Sequence, residues 1–455
     1  MANTYLQRTV GTPTNSQKYT YSFWIKRCEL SDGSKEAFLL DAYADGSNRA
    51  KIAFQSGDQL EIWNSHSGSD TFALNPPRKF RDTNAWYHIV LSVDTTQSTA
   101  SDRVKLYVNG VQETSLGSTT YPSQNDANNT INESGTTFSI MAYGGNASSN
   151  SYRLSSIMSH VYFVDGTAYP ASTFGSTDTN GEWKINTSPS ITMGNNGFTI
   201  LKDGNTITDQ SSNSNNFTLG GGTLTNMVDN PSDNFATVNI SYYSAENVNA
   251  TGIHFCNTGV NQSGTAAPFY STIAVPSGKY YWEGFVETVG TNNMHGVHRT
   301  QDINQATNAG NPANGTYGYA YRSDGSKFNG GAATSYGNSF TTGDYVSVAY
   351  DATNGAIWFA KNGTWQNSAT TSEIAAGTTT NAAFSSMPTN GVFYTPYTYL
   401  TNNGVVRFNF GNGVFGSTAL TGTTYSPTVG STSAKFKYNI VPSGFAALST
   451  KGLNL

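Results

Sequence analysis

Charge is scarce in this chain: only 12% of its 455 residues are Asp, Glu, Lys or Arg, about half the share usual in soluble globular proteins. The formal net charge of -5 leaves no basic footprint, so nucleic acid is not an expected partner. Cysteine is nearly absent. Cys28 and Cys256 are the only two, too few for a disulfide framework, and both are expected as free thiols in different domains. No run approaches the roughly 20 apolar residues that a membrane span needs, and no heptads run long enough for a coiled-coil shaft. Helical periodicity is confined to a weak piece around Ser372 to Ala376. The opening MANTYLQRTVGTPTNSQ has no basic stretch leading into an apolar one. No secretory signal is read there, and folding in a cytosol is expected.

In place of charge the chain carries Gly, Ser, Thr, Asn and aromatics, with 46 Gly and 27 Tyr. Two distant stretches follow one plan. WYHIVLSVD, a polar loop and VKLYVNG span Trp86 to Gly110, and YVSVAYD, ATNG and AIWFAKNG span Tyr345 to Gly363. Each is a strand ending in Asp, a return, a second strand and an Asn-Gly step. Both residues of that step tolerate the positive φ of a two-residue hairpin turn. In the first strand Tyr87, Ile89, Leu91 and Val93 share one apolar face, and Val104, Leu106 and Val108 match them on its partner. Such hairpins, short strands at regular spacing and turn signals between them predict an all-β chain of two antiparallel β-sandwich (jelly-roll) domains. The first is expected over 1–175 and the second over 236–455. Residues 176–235, with apolar pieces broken by Asn, Ser, Gly and Pro, read as an ordered connector lying across the two domains.

Residues 1–175 resemble a laminin-G-like, concanavalin A-like lectin domain through YTYSFWIKR, AWYHIVLSVD and VKLYVNGVQ. The second half is similar to a SPRY domain through GKYYWEGFVE, YGYAYRSDG, GDYVSVAYDATNGAIWFAKNG and VVRFNFGNGVF, in that order. Both resemblances imply two packed antiparallel sheets. The whole arrangement, with its MANTYLQRT start, its DNPSDNFATVN joint and its VPSGF segment, also resembles chains of tailed bacteriophages, especially marine ones. That implies a virion structural or host-contact protein.

Sets of reacting groups are not assembled along the sequence. GNGVFG (Gly411 to Gly416) follows a strand but precedes STALTGTT, which is no helix, so it offers no phosphate site. Glu283 and Glu287 share a strand face, and four residues place them about 13 Å apart. Glycosidases need about 5.5 to 9.5 Å. His295 and His298 fall on opposite faces and are read as exposed loop histidines, while His88 is expected beside the core of its sheet. Asp41, Asp45 and Asp94 are possible calcium ligands, but too few oxygens gather in one place to specify the ion; Asp94 is more simply a turn cap. No cofactor is expected.

Aromatic residues are the substantive feature. Trp24, Trp86, Tyr107, Trp282, Trp358 and Phe359 lie inside apolar strand patterns and read as packing. Tyr317, Tyr319 and Tyr321 alternate with small residues and so share one strand face. There they either stack on sugar rings or fill an interface. Tyr336 and Trp365 fall near loops, where the SPRY resemblance places contacts. These five are the candidate ligand-binding residues. The expected protein is not an enzyme but a virion surface protein, of tail-fibre or receptor-binding type. It contacts host-surface glycans, forms a homo-oligomer with other virion proteins as partners, and inserts in no membrane. The alternatives are a capsid-decorating or tail-attached subunit and a polysaccharide depolymerase.

Overall fold

The structure is a computed structural model that describes residues 4–31, 36–147, 152–153, 155–202, 206–239, 252–254, 259–261, 266–303 and 315–453. The chain forms two compact units, Met1–Thr225 and Asn226–Leu455. Each is an antiparallel β-sandwich, as the strand pattern predicts. None of the described helices is long and apolar enough to cross a membrane.

In the first unit an eight-stranded sheet runs in the order Thr119–Thr120, Ser69–Leu74, Leu60–His66, Arg49–Phe54, Ala37–Tyr43, Thr137–Ile140, Tyr5–Thr9, Thr218–Gly221. It packs on a six-stranded sheet ordered Phe198–Ile200, Ser156–Asp165, Lys18–Arg27, Trp86–Asp94, Val104–Val108, Val111–Gln112. Ile89, Leu91, Val93, Val104, Leu106 and Val108 all enter the core between them, with Tyr87 at its margin. The alternate face of Trp86–Asp94 was free to be polar, yet Trp86, His88 and Val90 on it are buried too. The cover is the hairpin of Gly175–Thr177 and Trp183–Ile185 with its neighbours, where Phe174 and Trp183 pack over Val90 and His88.

That hairpin corrects the connector. Of the expected connector 176–235, residues up to Thr225 belong to the first compact unit and help complete its sandwich, and those from Asn226 belong to the second. Phe198–Ile200 and Thr218–Gly221 pair as edge strands of its two sheets, and Phe198 and Phe217 sit in its core. Two buried phenylalanines are each worth roughly 1.5–3 kcal/mol of transfer free energy, a reason for this segment to fold with the sheets it covers.

The second unit pairs Gly252–His254, Gly259–Asn261, Val405–Asn409, Lys279–Thr288, Tyr345–Asp351, Ala356–Lys361 and Thr364–Trp365 in one sheet. Ala446–Ala447 joins Lys279–Thr288 in parallel. The facing sheet is ordered Ala266–Tyr270, Tyr394–Thr401, Met294–Arg299, Gly318–Arg322, Ser326–Asn329, Ala332–Ser335. Trp282, Val348, Tyr350 and Phe359 meet Val297, Tyr321, Tyr394 and Leu400 between the sheets. The outer face of the first sheet is also apolar: Tyr281, Ala349 and Trp358 lie in register across three strands. Phe436, Phe445 and Ala434 of the segment after the last long strand cover them.

Both Asn-Gly steps form the expected turns, with φ of 47° and 79° at Asn109 and Gly110 and of 49° and 80° at Asn362 and Gly363. The weak helical piece is a helix over Thr371–Ala376. Thr370 and Glu373 close a reciprocal capping box at its start, and Gly377 ends it in the left-handed region. Cys28 is buried, its Sγ donating to the Lys26 carbonyl at 3.8 Å; Cys256 lies outside the described residues.

Candidate functional site

Tyr319 and Tyr321 do project from one face of Gly318–Arg322, but it is the face turned toward the sandwich core. Tyr321 is fully buried, stacked on Phe359 at 5.5 Å between ring centres and edge-on to Tyr336 at 5.8 Å. Its hydroxyl donates to the carbonyl of Asn338. Tyr336 is buried beside it, its hydroxyl accepting from the Phe359 N–H at 3.2 Å. Trp365 is buried under the outer cover of the other sheet, where its Nε1 donates to Thr371 Oγ1 at 3.1 Å. Three of the five candidate aromatics, Tyr321, Tyr336 and Trp365, are therefore packing residues with no ring face left for a ligand. Sequence spacing gives which side chains share a face, not which layer that face meets.

Tyr317 and Tyr319 differ: both are half-buried, at the end of the strand where it enters the loop. The Arg299 guanidinium lies over the Tyr317 ring, 3.2 Å from its centre. Asp302 fixes that guanidinium from the side, accepting from Nη2 at 2.8 Å and also from Nε. The same guanidinium holds the Asp302 carboxyl below its usual range. Tyr319 meets the half-buried Phe384 edge-on at 5.2 Å and the buried Tyr394 at 6.1 Å. Beneath them Tyr350 packs on Tyr394 at 5.9 Å, its hydroxyl buried and without a hydrogen-bond partner among the described residues.

Two further groups border the cluster. Lys327 pairs with Tyr321 across the sheet and reaches Phe384, its Nζ 5.3 Å from the ring centre and donating to the Ala383 carbonyl at 2.7 Å. Phe393 is 44% exposed, one of few large apolar side chains left so open among the described residues. It is tied to the Arg299 corner by the Thr300 N–H on its carbonyl at 2.9 Å. Arg299, Asp302, Lys327, Phe384 and Phe393 carried no sequence signal. Arg299, Lys327 and Phe393 lie on or beside strands of one sheet, and Phe384 is tied by its backbone to Ile357 of the other. What results is a set of aromatic faces at the surface, ringed by one cation–carboxylate pair and one ammonium, above a buried phenol.

Glu283 and Glu287, the two acids on one strand face, are both engaged by protein donors. The Glu283 carboxylate is fully buried and accepts from Tyr281 Oη at 3.1 Å, Asn409 Nδ2 at 3.2 Å, the Lys437 N–H at 2.9 Å and the Tyr438 N–H at 3.1 Å. Burial pushes its pKa up to about 7 against the pull of those donors. It ties the covering segment to the sheet. Glu287, nearly half exposed, takes the Arg407 Nε at 2.6 Å.

His295 and His298 are not loop histidines. They lie on the strand Met294–Arg299, both buried, and on opposite faces as their spacing required. His295 packs on Phe340 and Phe408, and burial lowers its pKa to about 3. His88 sits beside its sheet's core between Trp24 and Trp183, with Trp24 stacked at 4.6 Å. Trp183 Nε1 can only donate, so His88 Nδ1 accepts its hydrogen bond at 3.0 Å and Nε2–H faces Ser22 Oγ at 2.9 Å. This ring is neutral, its pKa lowered to about 3 by burial.

Each possible calcium carboxylate is taken up by donors. Asp41 accepts from Arg49 and the Gly144 N–H, Asp45 from Ser47 and Asn48, and Asp94 from Thr96, Gln97 and Lys18. Among the described residues no three of His, Cys, Asp and Glu converge as metal ligands do.

Comparison with known proteins agrees with this architecture. Residues 1–147 match the model of the concanavalin A-like lectin/glucanases superfamily, and residues 279–413 match that of the SPRY domain. No curated protein sequence matches. Solved structures similar to parts of the chain include the SPRY domain of human HERC1, at 19% identity and a TM-score of 0.26, over 33% of this chain and 87% of that one. The native heptameric SAP-like pentraxin from Limulus polyphemus is 14% identical with a TM-score of 0.28, over 44% of this chain and 89% of that one. Domain 4 of AbnA, a GH43 extracellular arabinanase from Geobacillus stearothermophilus in complex with arabinotriose, is 17% identical with a TM-score of 0.25, over 35% and 65%.

Proposed function

We propose that this chain, a concanavalin A-like domain followed by a SPRY domain, is a non-catalytic surface protein of a tailed-phage particle that contacts host-surface glycans. The observation that carries the contact is the cluster of half-buried Tyr317, Tyr319 and Phe384, ringed by Arg299, Asp302 and Lys327, with the exposed Phe393 tied to the Arg299 corner through its backbone. Sugar rings present C–H faces that stack on aromatic rings, while their hydroxyls need donors and acceptors at the rim. The cluster offers both. Support for a non-catalytic role comes from Glu283, whose oxygens are fully engaged inside the fold, and from Glu287, held by Arg407.

The particle context rests on the resemblance of the MANTYLQRT and DNPSDNFATVN segments to tailed-phage chains. In that setting the protein assembles with other virion proteins, and an oligomer would turn a weak single site into strong attachment. Screening the purified protein on a glycan array, in parallel with Tyr319→Ala, tests the reading. Binding is expected to one class of glycan and to fall at least about tenfold in the variant, the loss of roughly 1.4 kcal/mol. No binding at high concentration, or release of reducing ends from a bound polysaccharide, would refute it.

A further inference from the structure

We infer that the cluster on the second sandwich selects glycans bearing a carboxylate, with the Lys327 ammonium as the group that reads the charge. This rests on the glycan reading above and adds the ligand's chemical class. Several cations of the second unit are already neutralised. Arg299 is held by Asp302 through two nitrogens and is laid flat on Tyr317. Arg322 next along the strand is paired with Asp324, Lys361 with Asp344, Lys279 with Asp351 and Arg407 with Glu287.

Lys327 stands apart. No acidic side chain among the described residues lies within ion-pair distance of its Nζ, and a single carbonyl, that of Ala383, accepts from it. An ammonium has three donors in tetrahedral array, so two remain to be met by water or a ligand. The ammonium also lies over the ring of Phe384, which Tyr319 meets edge-on.

A sugar lying along Tyr319 and Phe384 would therefore present its edge to Lys327. On a neutral sugar that edge is a hydroxyl; on a uronic acid it is a carboxylate. A charge-assisted N–H···O bond is shorter and about twice as strong as a neutral one, and the half-buried position of Lys327 shields it from part of the solvent screening that weakens open surface pairs. Discrimination between acidic and neutral sugars falls to the Lys327 ammonium.

The test is titration calorimetry of the full chain with a glucuronate-containing oligosaccharide and with its carboxyl-reduced counterpart, at low salt. The intact protein is expected to bind the uronate form roughly five- to tenfold more tightly. Lys327→Gln should bind both forms alike, and Lys327→Arg should keep most of the preference. Unchanged near-ultraviolet circular dichroism in the two variants shows that the fold has held. Equal binding of both sugars by the intact protein, or a preference that survives Lys327→Gln, overturns this inference and leaves the glycan reading standing. Binding of neither sugar, alongside an empty glycan array, overturns both.

Discussion

Tyr319 and Tyr321 stand two residues apart on one strand, share one face and play opposite parts. Tyr321 lies under Phe359, Tyr336 and Phe340, whereas Tyr319 reaches the edge of the sheet stack. Removing the buried ring leaves a cavity: Tyr321→Ala is expected to cost about 3–5 kcal/mol in denaturant unfolding, and Tyr319→Ala clearly less. An equal cost for both would mean that Tyr319 is also core. The buried histidines make a second prediction. His88 and His295 have folded pKa values of about 3 against an ordinary 6.5. Below pH 6.5 the unfolded chain takes up protons that the folded chain refuses, so their contribution is complete above 6.5 and is lost as pH falls toward 3. Relative to the parent, His295→Leu should gain stability over that window, by up to about 1.4 kcal/mol per pH unit. Glu283 acts with the opposite sign: raised to about 7 from 4.5, it favours the fold below 4.5 and loses that contribution as pH climbs through 7.

The two Asn-Gly hairpins repeat each other in more than sequence. In each, the Asn side-chain oxygen accepts a backbone N–H from the facing strand, from His88 at 2.8 Å onto Asn109 and from Tyr345 at 2.8 Å onto Asn362. In each, the Asn N–H returns to that residue's carbonyl at 2.9 Å. In each, an aromatic ring from a later covering segment lies on the glycine, Trp183 on Gly110 and Tyr438 on Gly363. Glycine is thus required twice over, for its φ and for the missing Cβ, which at Gly363 would meet Tyr438 Cδ1 at 2.6 Å. Gly363→Ala is expected to cost at least about 1–2 kcal/mol from the left-handed backbone alone, read as a lower midpoint in thermal unfolding. The turn was legible in two letters of sequence. The ring upon it was not, because Trp183 and Tyr438 lie 73 and 75 residues downstream of their glycines in stretches without periodic pattern.

Both sandwiches bury the outer face of one sheet as well as the inner, and each does so with chain that follows its long strands. In the first unit the cover is Gly175–Thr177, Trp183–Ile185 and their neighbours; in the second it is the segment carrying Ala434, Phe436 and Phe445, pinned by Glu283. Domain ends read from hydrophobic strands alone therefore fall short. Residues 1–225 expressed separately should unfold in one cooperative transition. Residues 1–175 lack Trp183, Phe198 and Phe217 and should aggregate or bind a hydrophobic dye. A soluble, cooperatively folding 1–175 fragment would show that the later residues are an accessory and not part of the sandwich.

By itself the sequence determined the class of fold, the presence of two sandwiches, the hairpin turns, the inward face of strands such as Trp86–Asp94 and a weak helical piece around Ser372 to Ala376. All of these follow from local rules: the period of the apolar residues and turn residues that tolerate positive φ. Tertiary structure alone decided which faces are covered. It sent Tyr321, Tyr336 and Trp365 inward, enclosed His295 and His298, filled the carboxylate of Glu283, and drew Arg299, Lys327 and Phe384 around Tyr317 and Tyr319. The reason is that alternation specifies a side chain's direction relative to its own strand. Its exposure depends on what a distant part of the chain lays over it.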